Sequence, residues 1–113
     1  MQVSELQKLC YETSLNAGWW ANPDPLIIPV KLCLIHSEIS EAMEGHRKDK
    51  MDDHLPHRKS LEVEMGDAII RIFDLGGRLG FDIEGAILEK LAYNKKRADH
   101  KIENRMAEGG KKY

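Results

Sequence analysis

The sequence has no long apolar segment and little excess charge, and these absences exclude broad classes of protein. No apolar run reaches the roughly 18 residues needed to span a bilayer. The N-terminal segment also lacks the basic stretch and apolar core of a secretory signal. We therefore expect a soluble, cytoplasmic protein without a membrane partner. The formal charge of −2 argues against a nucleic-acid polymer as partner, because surfaces that bind such polymers are normally basic.

Several motifs of metal, redox and nucleophilic chemistry are also absent. The two cysteines, Cys10 and Cys33, lack the CxxC spacing of zinc and redox sites, and we predict that both are buried free thiols. No histidine follows a glutamate by three residues, so the ExxH signature of di-iron bundles is missing. There is no GxSxG motif and no glycine-rich phosphate loop. Any metal site in this chain would therefore favour a hard ion over a redox metal.

Hydrophobic periodicity predicts one all-α domain over residues 1–113, with residues from about 98 to 113 forming an extended C-terminal arm. Proline-containing segments and Gly80 separate the predicted helices. We expect a helical bundle whose second and third helices form a central antiparallel pair, completed by oligomerisation. The predicted helices run from an N-cap at Ser4 to Asn16, from Leu26 to His46, from Arg58 to Leu79, and from an N-cap at Asp82 to Arg97.

A pair of glycines, Gly76 and Gly77, lies inside the third predicted helix. Each glycine costs a helix about 1 kcal/mol relative to alanine, so the pair requires an explanation. One explanation is a kink, and the other is the close approach of a second helix, for example across a dimer interface. The sequence favours neither.

Two pairs of carboxylates, Glu38 with Glu41 and Glu64 with Asp67, lie on the second and third predicted helices. Residues three apart share one face of a helix. At about 100° per residue, each pair flanks the apolar stripe of its helix with the same rotational sense. In an antiparallel hairpin, all four carboxylates would therefore face one groove.

Four clustered carboxylates repel one another unless a cation lies among them. A single ExxE or ExxD pair is an ordinary solvent-facing helix motif, but two pairs at matching offsets without alternating lysine partners favour a metal site. Mg²⁺ is the predicted ion, since it prefers oxygen ligands, and Mn²⁺ could replace it. Lys31 and Arg71 lie on the same flanks, where either could instead meet a phosphate.

The residues around the carboxylates carry a family resemblance. The run from Lys31 to Gly45 contains Glu38-x-x-Glu41, and after a gap the run from Glu62 to Ile70 contains Glu64-x-x-Asp67. This order resembles the MazG-like nucleoside triphosphate pyrophosphohydrolases, whose hallmark is EExxE, a gap and ExxD. Asn94-Lys95-Lys96-Arg97 and the terminal Gly109-Gly110-Lys111-Lys112-Tyr113 are similar to the N-x-x-R and GGKK-type endings of small members. The resemblance covers most of the chain from about Lys31 onward.

The resemblance implies an all-α fold, a homodimer or homotetramer, and Mg²⁺-dependent hydrolysis of a nucleoside or deoxynucleoside triphosphate to the monophosphate and pyrophosphate. It implies metal ligation by Glu38, Glu41, Glu64 and Asp67. It also implies that Asn94 and Arg97 contact the phosphates or the sugar, assisted by Lys95 or Lys96.

One position departs from the family motif, because Ser37 stands where EExxE has its first glutamate. The identity of the general base is therefore open, and Glu38 and Glu41 are the candidates. Lys31 is a further candidate substrate ligand, for a phosphate. Trp19 and Trp20 could stack on a base or could serve as core or interface anchors, since aromatic side chains bury large areas.

Other functions fit the same residues. A phosphoribosyl-ATP pyrophosphohydrolase and an all-α dUTPase or dCTPase share the metal motif. From a different class, the chain could be a non-catalytic helical dimerisation module with an acidic groove for a basic partner.

Overall fold

The computed structural model describes residues 1–97, 103, 106–107 and 109–110. In this part of the chain the named elements are four α-helices, which confirms the predicted all-α class. None of these helices is long and apolar enough to cross a lipid bilayer. Most of the predicted C-terminal arm, residues 98–113, lies outside the described residues. The helices are α1 (Val3–Asn16), α2 (Ile27–Arg47), α3 (Ser60–Arg78) and α4 (Ile83–Lys96).

The chain divides into two compact units, of which the first, Met1–Phe81, contains α1, α2 and α3. The second unit begins at Asp82 and contains α4. Within the first unit, α3 packs against both α1 and α2 and is therefore its central helix. The buried apolar residues of this unit are Cys10, Trp20, Ala42, Ala68, Phe73 and Leu75.

Glycine ends α3 as the sequence predicts. Gly80 adopts the left-handed conformation, with φ of 71°. Its N–H donates to the carbonyl of Gly77, and the N–H of Phe81 donates to the carbonyl of Gly76. These two bonds form a Schellman motif, in which a left-handed residue without a Cβ satisfies the last carbonyls of a helix.

The two predicted N-caps have different outcomes. The Asp82 side chain accepts a hydrogen bond from the backbone N–H of Gly85, which confirms the predicted cap of α4. The predicted cap at Ser4 is wrong, because α1 begins at Val3 and Gln2 occupies the N-cap position without a side-chain hydrogen bond. A serine next to other polar residues gives a weaker start signal than an aspartate after a glycine-terminated helix.

The connection between α2 and α3 is held by its own backbone. Met51 and Lys59 form an isolated antiparallel bridge. The buried Asp52 carboxylate accepts hydrogen bonds from the N–H groups of His54 and Leu55, at 2.9 and 2.8 Å. A Cβ at Gly45 would lie 2.6 Å from the Oγ of Ser60, so the end of α2 and the beginning of α3 contact each other directly.

Close helix approach explains one glycine of the Gly76-Gly77 pair. A Cβ built on Gly77 would lie 2.5 Å from the Cβ of Tyr11, so α1 and α3 meet at this point. The contact is within one chain and involves no second copy.

Much of the apolar surface predicted to form the core of α2 is exposed. We define the α2 stripe as Ile28, Leu32, Ile39 and Met43, whose side chains are 41–57% exposed. The core stripe predicted for α2 consists of Ile28, Leu32, Ile35, Ile39 and Ala42, and of these only Ala42 is buried. Glu38 beside the stripe is buried as well. The reason is that α2 turns only one face toward α3, and most of the apolar stripe lies beside that face. Cys33 of α2 is likewise exposed, so its predicted burial is wrong, whereas that of Cys10 is confirmed.

Two glycines of α3 provide a matched test of this packing. Gly77→Ala should lower the free energy of unfolding, because the new Cβ collides with Tyr11. Gly66→Ala should raise it by about 0.5–1 kcal/mol, since nothing lies within 4 Å of its Cβ position and alanine favours the helix. Chemical denaturation of both variants measures the two effects. Stabilisation by Gly77→Ala would contradict the α1–α3 contact.

Candidate metal centre

Three carboxylates from two helices converge in the first unit. Glu38 and Glu41 of α2 and Glu64 of α3 each place one oxygen so that the three oxygens lie within 4.8 Å of one another. Oxygens on opposite sides of one Mg²⁺ lie about 4 Å apart. Small side-chain rotations would therefore bring all three onto a single ion.

Asp67, the fourth predicted ligand, lies beside this cluster. It lines the same cavity as Glu38. Burial and the negative charges of Glu38 and Asp52 raise the pKa of the Asp67 carboxyl. Asp52 is thus an additional acidic neighbour. Its position depends on the path of the α2–α3 connection, which the sequence pattern does not indicate.

Glu64 carries the strongest electrostatic signature of the site. Burial, followed by hydrogen bonding and charge repulsion from Glu38 and Glu41, raises its pKa to about 8. Its Oε2 is buried and, within the described residues, has no hydrogen-bond donor in range. Its neighbours are themselves carboxylates, so either a proton or a cation must satisfy this oxygen. The donor set therefore fits a hard divalent ion.

Arg71 supplies a positive charge at the edge of the cluster. Its Nε donates to Glu38 Oε1 at 2.8 Å, in a pair whose carboxylate side chain is 10% exposed. Burial opposes ionisation of Glu38, but the Arg71 guanidinium, together with hydrogen bonding to Glu64 and Glu41, lowers the pKa of Glu38. One guanidinium offsets part of the charge of four carboxylates. Its position four residues after Asp67, on the same helix face, was the sequence signal for this contact.

A cavity of about 830 Å³ adjoins the carboxylates. Lys31 lies on its wall together with Glu38 and Asp67, and the Lys31 Nζ is 4.6 Å from the centre of the Trp20 ring. Trp20 is 8% exposed, and its indole N–H donates to Asp74 Oδ1 at 2.8 Å. Trp20 is thus packed as a core residue. Its stacking on a base stays a prediction.

The remaining predicted site residues belong to the second unit. Asn94 and Lys95 lie in the last turn of α4, which ends at Lys96, and Arg97 is its C-cap. The guanidinium carbon of Arg97 is 5.9 Å from the centre of the Tyr93 ring. Their contact with phosphates or sugar stays a prediction.

Metal-free protein should become less stable as the pH rises. The Glu64 pKa is raised from 4.5 to about 8 on folding. The folded state therefore retains a proton that the unfolded state releases, and this contribution is lost between those two pH values. Thermal melts without metal should show the melting temperature falling as the pH rises from about 4.5 to about 8, the window set by these two pKa values.

Mg²⁺ should reverse part of this loss, because it binds the ionised carboxylates and its stabilisation therefore grows with pH. Glu64→Gln should flatten the metal-free pH dependence. A midpoint that is independent of both Mg²⁺ and this substitution would contradict the metal centre.

Comparison of the chain with protein-family models, curated protein sequences and solved structures found no match. The resemblance to the MazG-like family therefore rests on the two acidic motifs and the chain endings, and membership stays a prediction. The function of the site has to be inferred from its own geometry and charge.

Proposed function

We propose that this protein hydrolyses a nucleoside or deoxynucleoside triphosphate to the monophosphate and pyrophosphate, with Mg²⁺ held by Glu38, Glu41, Glu64 and Asp67. The observation that carries the proposal is the convergence of three of these carboxylates within 4.8 Å. The orphaned Glu64 oxygen supports it, because it lacks the positive partner that a bound ion would provide.

The surroundings of the carboxylates support a phosphate-bearing small molecule as substrate. Mg²⁺ in proteins is typically bound by a few carboxylates and completed by water and substrate phosphates. The adjacent cavity, at about 830 Å³, lies in the size range of small-molecule sites. Lys31 and Arg71 on its wall offer positive charges for phosphate oxygens.

In the proposed reaction, a water oxygen bonds to the α-phosphorus while the bond from that phosphorus to the oxygen bridging the β-phosphate breaks. Pyrophosphate leaves, and a proton of the water passes to a carboxylate. Bound Mg²⁺ would supply charge neutralisation and lower the pKa of the attacking water. The Arg71 ion pair keeps Glu38 ionised and suits it to ion binding, which favours the more exposed Glu41 as proton acceptor.

Ser37 stands in place of the first glutamate of the family motif, and its hydroxyl is engaged within its own helix. The Ser37 hydroxyl donates to the backbone carbonyl of Leu34 at 2.6 Å, within its own helix. In this proposal Asn94, Lys95 and Arg97 are further substrate ligands, as the resemblance implies.

We also infer that α2 and α3 are antiparallel. Gly45 near the end of α2 contacts Ser60 at the start of α3. Glu38, earlier in α2, pairs with Arg71, later in α3. A contact earlier in α2 thus corresponds to a contact later in α3, as an antiparallel pair requires.

A screen of nucleoside and deoxynucleoside triphosphates with Mg²⁺ tests the proposed reaction. Pyrophosphate should be released in preference to orthophosphate, and a chelator should abolish the release. Glu64→Gln should lower kcat/KM by about 100-fold or more, since an ion ligand is lost from the reacting centre. The variant should remain folded, because glutamine is isosteric with the protonated carboxyl.

Glu62→Gln is the matched control. Glu62 lies two residues earlier in α3 and forms an exposed pair with Arg58, so this change should leave turnover intact. If no triphosphate is hydrolysed, the proposed reaction fails, and the alternative function, a helical dimerisation module with an acidic groove, takes its place.

We further propose that the chain forms a homodimer or a homotetramer through the α2 stripe. The stripe is 41–57% exposed, and α3 leaves Met65 and Ile69 53% and 47% exposed. Apolar side chains repeating along a helix normally cover a partner helix. A second copy presents the same stripe, so a two-fold interface would be self-complementary.

Light scattering at micromolar concentration should give at least twice the monomer mass of 12.9 kDa. Leu32→Glu should shift the protein toward monomer, since it places a charge in the apolar contact. Gln2→Glu, which adds the same charge at an exposed N-cap, should leave the mass unchanged. A wild-type monomer would refute the interface.

A further inference from the structure

The cavity beside the carboxylates has a chemically mixed lining. Glu38, Asp67 and Arg71 are charged and belong to the proposed metal centre. Leu6 and Leu9 of α1 are among its apolar residues. A ligand that occupies the whole cavity would therefore combine an anionic, metal-binding group with a largely apolar one.

The carboxylate of Asp74 also lies on the wall of this cavity, together with those leucines and the hydroxyl-bearing Thr13 and Ser14. The Trp20 indole N–H donates to Asp74 Oδ1 at 2.8 Å, and the buried indole fixes the orientation of the carboxylate. Among the ion pairs of the described residues, none involves Asp74. Asp74 is half-buried, and the lone pairs that the indole leaves open can accept a hydrogen bond from water or from a donor of the ligand.

Asp74 is also at a suitable distance from the metal centre. It follows Asp67 by seven residues on α3, which corresponds to about 10.5 Å along the helix axis and to nearly the same helix face. A nucleotide spans such a separation from its phosphate to the outer edge of its base. With the phosphates at the carboxylates, the base edge would reach Asp74.

We propose that the cavity holds the base of the substrate and that Asp74 selects bases with an exocyclic amino group, namely cytosine, adenine or guanine. The inference rests on the proposed function and adds the substrate class. An amino group donates to the carboxylate, whereas the C4 carbonyl of uracil or thymine turns an acceptor toward it. A site that accepts a hydrogen bond from one ligand discriminates against a ligand that faces the same carboxylate with an acceptor.

The test compares dCTP with dUTP, which differ at the amino-bearing edge of the base. Wild-type protein should favour dCTP in kcat/KM by about 10-fold to 100-fold, the range of one hydrogen bond to a charged group. Asp74→Asn should reduce this ratio at least to parity and raise kcat/KM for dUTP. The asparagine keeps an oxygen for the Trp20 N–H and turns an amide N–H₂ donor toward the base. Glu12→Gln on the exposed side of α1 is the control and should leave the ratio unchanged.

Binding separates this inference from the proposed reaction. Isothermal titration calorimetry of wild-type protein with dCMP and with dUMP requires neither hydrolysis nor a variant. Tighter binding of dCMP supports the role of Asp74 even if no triphosphate is cleaved, in which case the proposed reaction alone fails. Hydrolysis with equal use of dCTP and dUTP, or equal binding of the two monophosphates, would overturn the base selection and leave the proposed reaction standing.

Discussion

Mutual repulsion among carboxylates on two facing helices is the constraint on which the rest of this structure depends. Glu38 and Glu64 come from α2 and α3, and each is at least partly buried beside other acidic groups. Burial removes water that would screen their charges, so the helices pack only if positive charge or protons are supplied. Arg71 supplies one charge, and the raised pKa of Glu64 supplies one proton. Without a metal, the negative charge of the cluster is therefore only partly neutralised, and a divalent ion would neutralise more of it.

The local sequence was sufficient to predict the parts of the fold that depend on neighbouring residues. Helix identity, the glycine stop at Gly80 and the cap at Asp82 are short-range features, and the structure confirms them. The juxtaposition of Glu38, Glu41 and Glu64 also followed from spacing, because helical periodicity determines which residues share a face.

Features that depend on tertiary path could not be predicted in the same way. Asp52 reaches the acidic cluster only because the α2–α3 connection folds back through its own hydrogen bonds. The hydrogen bond between Trp20 and Asp74 joins residues 54 positions apart, and no local pattern indicates it. Periodicity also identified an apolar stripe on α2 without showing that α3 would leave it uncovered, since pattern alone does not specify the partner of a face.

The contact between Gly45 and Ser60 has a mechanical consequence. Where two helices touch at backbone distance they act as a pivot, and the displacement produced by any splaying grows with distance from it. Glu41 and Glu64 each lie about one turn from this point, whereas Arg71 lies about three turns away. Splaying of the helices would therefore displace Glu41 and Glu64 less than it displaces the far end of the groove. Ligands of different bulk could thus enter at that end with little movement of the oxygens proposed to hold an ion.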